Sequence, residues 1–375
     1  MVYVLLFLLL LGWVLNAFSK KYGLQNVTYQ RKISQTVVEI DEEFEITTIL
    51  ENRKFLPVTF LQVVEKFPAM LTYKFKADVL STVEYVFHKT TVLLKPYERV
   101  SRVYTVVAKQ RGKYTFKDVT LIGGDLLGLD TSVKEVEFSQ EIVVLPKSLP
   151  LAENIWPYGD YYGDISVQRW IIDDPILMIG VREYTGLEPE RTIHWPSSLM
   201  TGRLMVKKFD DTTENSVMVV INIESAKPFW FNIENGKIEK CISLARGVVD
   251  EFERVGIPYG LGTDAHVSGS SSNLNLKNPG IGAYHYAEIV ESLGRVINSL
   301  SLSFEDLLWY LTRRGGVYTT YVLITPTILE PYIDGINKLS EKVTKTVIVS
   351  LNEENFEHLA GNMDKYCASV HGGTW

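Results

Sequence analysis

The stretch RTIHWPSSLMTGRLMVKKF, residues 191–209, sets an imidazole, an indole, two adjacent serines and four cations within nineteen residues. Such a set has one obvious chemical use. His194 could act as a general base, Ser197 or Ser198 as the nucleophile, and Glu183 or Glu188 as the orienting acid. Triads are gathered from distant parts of a chain, however, and no Gly-x-Ser-x-Gly elbow is present. A structural use competes with it: Ile193 and Trp195 bury, and His194 hydrogen-bonds the backbone. A docking use is the third, with Arg182, Arg191, Arg203, Lys207 and Lys208 facing an acidic partner. Glu183, Glu188, Glu190, Asp210 and Asp211 match those five cations in number, so internal ion pairing accounts for the charges. The expectation is a structural corner that joins two domains and carries an exposed docking edge.

A second set is GTDAHVSGSSSN at 262–273, with Asp264, His266 and Ser268. It could ligate a cation through oxygens or use His266 as a base, but Gly/Ser/Asn-rich stretches between strand and helix are ordinary turns. Six histidines and two cysteines, Cys241 and Cys367, show no zinc spacing and no disulfide framework. Walker, dinucleotide and zincin motifs are absent. Cys241 falls on the apolar face of a helical pattern, which places it in a core. A formal charge of −7 argues against a general nucleic-acid binder. No catalytic residue, cofactor or small-molecule substrate is expected.

The elements that must position these groups are legible in outline. Residues 1–18, MVYVLLFLLLLGWVLNAF, carry no charge and meet Lys20 and Lys21. As a helix at ~1.5 Å per residue they reach roughly 27 Å, against about 30 Å of bilayer core. With no basic residue before the run and a poor cleavage site after it, they read as an uncleaved transmembrane anchor. The lysine flank places the bulk of the chain in the cytoplasm, single-pass in the cell membrane. The sequon at Asn26 is then unused. Residues 25–147 read as alternating strands, an antiparallel, Ig-like β-sandwich. Residues 148–214 are a proline- and aromatic-rich connector holding the 191–209 stretch. Over 215–375 strand and helix patterns alternate, with helices expected near 284–299, 303–314, 330–343 and 353–360, as in a doubly wound α/β domain. Ligands of such sheets lie beyond the strands' carboxyl ends, here Asn222–Lys227, the loop after Thr263, and Thr325–Thr327.

Arg182, Tyr184, Arg191, Ile193-His194-Trp195, Ser197-Ser198, Gly202, Leu204, Val206 and Phe209 follow a fixed spacing, and Asn52, Pro57 and the Gly-Asp-x-x-Gly-Leu at 124–129 accompany them. In these residues the chain resembles the MoxR-associated family catalogued as domain of unknown function 58. The resemblance implies a membrane anchor, a β-sandwich and a von Willebrand factor A-like α/β domain, and a MoxR-type AAA+ ATPase as partner. Relatives often carry an anchor hairpin. The chain departs from the family at Leu187-Glu188, where Gly-Asp is usual, and at Met200, where Arg is. Where A-type domains carry Asp-x-Ser-x-Ser to hold a divalent cation, this chain has Asn222, Glu224 and Ala226, and no Asp follows Thr325. Mg²⁺ needs hard, charged oxygen ligands, so a degenerate cation site is expected, with the sheet kept for its shape. The resulting expectation is a non-enzymatic, membrane-anchored adaptor working with that ATPase in assembly or maturation of a client. A hydrolase using the 264–270 loop or His194, and an extracytoplasmic adhesin-like protein, are the alternatives.

Overall fold

Val119 and Leu121 are fully buried while Thr120 and Ile122, which alternate with them, are half-exposed. This period-two burial recurs through the first part of the chain, because one face of each strand meets a core and the other meets solvent. The computed structural model describes residues 3, 22–74, 79–81, 85–124, 131–150, 178–184, 193–209, 216–229, 233–314 and 318–368. The strands of the first part are β1 (Val27–Ile33), β2 (Val37–Val38), β3 (Glu43–Asn52), β4 (Val58–Pro68), β5 (Leu71–Tyr73) and β6 (Val79–Ser81). They continue as β7 (Tyr85–Leu94), β8 (Arg99–Ala108), β9 (Gly112–Phe116), β10 (Val119–Gly124), β11 (Thr131–Val136) and β12 (Gln140–Val144). One antiparallel sheet runs β1-β3-β8-β5 and another β11-β10-β4-β7-β6, with β2-β12-β9 closing one end. Residues of both large sheets share two apolar clusters, one around Leu50, Leu61 and Leu121, the other around Phe44, Phe67 and Val106. That is a β-sandwich.

A buried polar set also lies inside the sandwich. Glu65 accepts hydrogen bonds from Tyr29 and from Thr48 at 3.0 Å, and His88 Nδ1 lies 3.1 Å away. The Arg31 guanidinium stands 3.8 Å from Glu65 and 5.3–5.7 Å from the ring centroids of Tyr29, Phe67, Phe116 and Phe138. Asn52 holds the turn before β4 by donating to the Leu56 and Lys95 carbonyls.

The next elements are β13 (Met178–Glu183), α1 (Trp195–Thr201), β14 (Met205–Phe209), β15 (Val217–Ile221) and α2 (Asn235–Val255). After them come β16 (Tyr259–Thr263), β17 (Ala265–Val267), β18 (Asn275–Gly280), α3 (Ala283–Arg295), β19 (Val296–Leu300) and α4 (Phe304–Arg313). The last are β20 (Thr320–Thr325), α5 (Glu330–Ser340), β21 (Lys345–Ser350), a 3₁₀ turn (Phe356–His358) and β22 (Asp364–Cys367). The sheet order is β18-β16-β15-β20-β21-β22, parallel except for the antiparallel edge strand β18. Every residue of β15 is buried. Val217, Val219 and Ile221 pack with α2 and α3 on one face, while Met218 and Val220 pack with α4 and α5 on the other. Helices on both faces of a mostly parallel sheet make a doubly wound α/β layer.

The α/β layer is docked on the sandwich. Arg111, between β8 and β9, forms a two-point ion pair with Glu239 of α2, both contacts at 2.7 Å. It also donates to the Val296 carbonyl at 2.6 Å and to Asn298 Oδ1 at 3.1 Å. Arg246 of α2 grips Glu39, and Arg295 of α3 reaches Glu141 at 2.9 Å. Gly247 lets the chain at Leu149 lie against α2: a Cβ there would stand 1.9 Å from the Leu149 carbonyl oxygen.

Several expectations need correction. Among the described residues β-strands outweigh the five helices, and no helix there is long and apolar enough to cross a membrane. The longest, α2, has the length for a span but is amphipathic, with eight charged residues from Lys237 to Arg254. An N-terminal transmembrane helix in the fold class, and with it a single-pass placement in the cell membrane, is therefore not supported. Residues 1–18, Tyr3 aside, lie outside the described residues. The helix expected over 284–299 stops at Arg295, because Val296 turns extended (φ −60°, ψ 131°) and β19 pairs with β17. The helix expected near 353–360 is only a 3₁₀ turn, entered through Asn355 at φ 62°.

Candidate functional site

Because β15, β16 and β20 are parallel neighbours, their carboxyl ends deliver Asn222–Glu224, Asp264 and Thr325 to one edge. Asn222 is fully buried. Its amide donates to Thr325 Oγ1 at 2.9 Å and to the Glu224 carbonyl at 3.3 Å, and its Oδ1 accepts from the Glu224 amide at 2.7 Å. Thr325 in turn donates to the Thr327 carbonyl at 2.6 Å. The Asp264 carboxyl accepts from the Ile223 amide at 3.0 Å. Burial pushes that carboxyl well above the ordinary carboxylate range, against the Ile223 hydrogen bond and with the help of the neighbouring Glu224 charge.

Glu224 is the member of this edge that lines open space. It is 4% exposed, and its Oε2 accepts from the Phe304 amide at 3.4 Å, where α4 begins. Ser303 caps α4 by accepting from the Asp306 amide at 3.2 Å, as its sequence predicts. Fully buried Tyr332 of α5 places its hydroxyl near Glu224 without a hydrogen bond of normal length. Burial first, then the approach of its hydroxyl to the Glu224 carboxylate and that group's charge, raise the phenol far above its usual range. A groove of about 820 Å³ opens here, walled by Phe229, Ile233, Leu300 and Leu302, with Glu224 and Lys227 as its charged members.

This edge does not fit a divalent cation. Asn222 Oδ1 is occupied by a backbone amide, Thr325 Oγ1 donates away, and the Asp264 carboxyl is taken up by the Ile223 amide. Ala226 supplies no oxygen from its side chain. Among the described residues no three His, Cys, Asp or Glu side chains come together as ligands would.

The 193–209 segment forms a corner of its own. Ile193 bridges to Val206, the His194 amide donates to the Met205 carbonyl at 2.7 Å, and the Tyr184 amide to the Leu204 carbonyl at 2.8 Å. His194 caps α1: Nδ1 accepts from the Ser197 amide at 3.3 Å and stands 2.8 Å from Ser197 Oγ. Ser198 is buried; its hydroxyl donates to the His194 carbonyl at 3.0 Å and accepts from the Met205 amide at 2.8 Å. Gly202 closes α1 at φ 69°, in the left-handed region. Glu183 pairs with Arg203 at 2.6 Å and does not orient His194. Trp195 is 61% exposed, which corrects the expectation that it buries: it sits on the outer side of a two-turn helix beside exposed Leu199 and Met200. Arg182, Lys207 and Lys208 lie on β13 and β14, their side chains outside the described residues, and Arg191 and Glu188 lie wholly outside them.

In the 262–273 set, Asp264 is buried in the edge, His266 pairs in β17, and Ser270 and Ser272 accept from backbone amides two residues ahead. Cys241 is fully buried, and burial pushes its thiol up. Tyr332 and Arg111 carried no motif that could have flagged them. Only the folding of α5 and of the β8–β9 turn against distant elements gives them a place, beside Glu224 and at the dock.

Fold and site together define a β-sandwich docked on a doubly wound α/β layer, with a groove at the layer's carboxyl edge. No protein-family model and no curated protein matches the chain. Solved structures resemble about a third of it. The CARDB domain of a Pyrococcus furiosus protein shares 16% identity over 32% of this chain and 90% of that domain, with a TM-score of 0.21. A cohesin module from a Clostridium perfringens family 33 glycoside hydrolase shares 11% over 32% and 96%, TM-score 0.24. Native alpha-2-macroglobulin from Escherichia coli shares 17% over 33% and 17%, TM-score 0.25. Likenesses this low carry no argument about function.

Proposed function

We propose that this chain is a non-enzymatic adaptor that seats a protein partner in the carboxyl-edge groove of its α/β layer. One observation carries the reading. The polar side chains of the edge are committed to one another and to backbone, while apolar side chains, with Glu224 among them, line an open groove. Catalysis needs groups poised toward a bound molecule; a protein contact needs an apolar centre and a few anchoring polar groups. The resemblance of the 182–209 motif to the MoxR-associated family supports a MoxR-type AAA+ ATPase as that partner, in assembly or maturation of a client.

The test is crosslinking of the tagged full-length chain in its native cells, with and without ATP. A nucleotide-sensitive AAA+ ATPase recovered with the wild type and lost on Phe229→Ala is the expected result. Recovery without any such ATPase, or one indifferent to groove substitutions, sinks the reading. A hydrolase is the second reading, favoured by the 2.8 Å approach of His194 Nδ1 to Ser197 Oγ. Labelling by a serine-directed probe that disappears on Ser197→Ala would put it first.

A further inference from the structure

We propose that the groove takes a lysine or arginine side chain of the protein partner, its cation seated on the Glu224 carboxylate. The proposal deepens the adaptor reading and rests on it. Glu224 is 4% exposed, and among the described residues no cation pairs with it. Lys227, on the same groove, is engaged by Glu305 and stands 5.1 Å from the Tyr332 ring centroid. A buried carboxylate without a counter-charge is costly, and the Phe304 amide at the start of α4 offsets only part of that cost.

Tyr332 does not supply the missing charge: its buried, neutral hydroxyl lies beside Glu224 and makes no hydrogen bond of normal length. An ammonium or guanidinium supplies what Glu224 lacks, a positive charge and N–H donors. Phe229, Ile233, Leu300 and Leu302 suit the alkyl stem that precedes such a cation. A divalent ion needs more hard oxygens than this edge leaves uncommitted.

The experiment is calorimetric titration of the full chain with acetyl-Leu-Arg-Leu-amide and its Gln-centred counterpart, using wild type, Glu224→Gln and Tyr332→Phe, each checked for folding by circular dichroism. The Arg peptide should bind the wild type, and the Gln peptide at least tenfold more weakly. Glu224→Gln should weaken the Arg peptide about tenfold to a hundredfold, the range for a charged hydrogen-bond partner, and Tyr332→Phe by a smaller factor. Equal binding of the two peptides, indifference to Glu224→Gln, or no binding of either peptide overturns the proposal. So does a saturable Mn²⁺ site that excludes the Arg peptide. A partner lost on Phe229→Ala but kept on Glu224→Gln would retain the adaptor and remove only the cation seat.

Discussion

Asp264 illustrates how one side chain changes meaning with its surroundings. In the sequence it belongs to a serine-rich loop that reads as an ordinary turn; in the fold it is fully buried at the end of β16, bonded to the Ile223 amide. Burial raises its carboxyl well above the unfolded value of about 3.9. Between the two values the folded state holds a proton that the unfolded state releases, so stability falls as pH rises. The contribution is full below about pH 3.9 and is lost as pH passes the raised value. Melting temperatures of wild type and Asp264→Asn between pH 4 and 8 check this. The wild type should lose ground to the variant as pH rises, and a constant difference would refute the assignment.

Helix α2 shows how an amphipathic pattern leaves its outer contacts unspecified. Ile238, Cys241, Ile242, Ala245, Val248, Val249 and Phe252 mark its inner face in the sequence, and all are fully buried. Gly247 is different: as a glycine inside a helix it weakens the pattern, yet it is where residues 145–149 cross. Gly247→Ala would press a methyl group into the Leu149 carbonyl, a backbone obstacle that cannot swing aside. Overpacking of this kind costs about 1–3 kcal/mol, and the immovable neighbour argues for the upper part. Chemical denaturation should show that loss despite alanine's better helix propensity; an unchanged or stabilised variant would mean that the crossing is not close.

The molecule as a whole is two folding units joined by arginines. Arg111, with a side chain 4% exposed, leaves the sandwich and bonds α2, the end of α3 and β19, which runs directly into the groove wall at Leu300–Ser303. The sandwich therefore positions the groove from behind. Arg111→Ala should increase the radius of gyration in small-angle scattering and speed amide exchange over residues 296–303, while Arg53→Ala, an exposed surface pair, should change neither. Unchanged exchange across 296–303 would show that the groove wall stands without the sandwich.

Local periodicity carried much of the architecture. Alternation in Val119–Gly124, the continuous apolar run of Val217–Ile221, the three- and four-residue steps of α2 and the Ser303 cap all depend on near neighbours, which a sequence displays. Polar residues at the edge were legible as positions, and the loss of an Asp-x-Ser-x-Ser pattern at Asn222–Ala226 was legible as chemistry. Other outcomes depended on residues far apart in the chain. Trp195 turned outward because α1 is short and its inner side is filled by the Ser198–Met205 bonds. The helix expected to 299 gave way to β19 because β17 offered a partner. The apolar run at 1–18 reads as a membrane span from its composition and flanks, and no described helix has that character. Tyr332 and Glu224 lie 108 residues apart, and Arg111 is 128 from Glu239. Such pairs leave no local signature, because sheet order and domain docking, not spacing along the chain, bring them together.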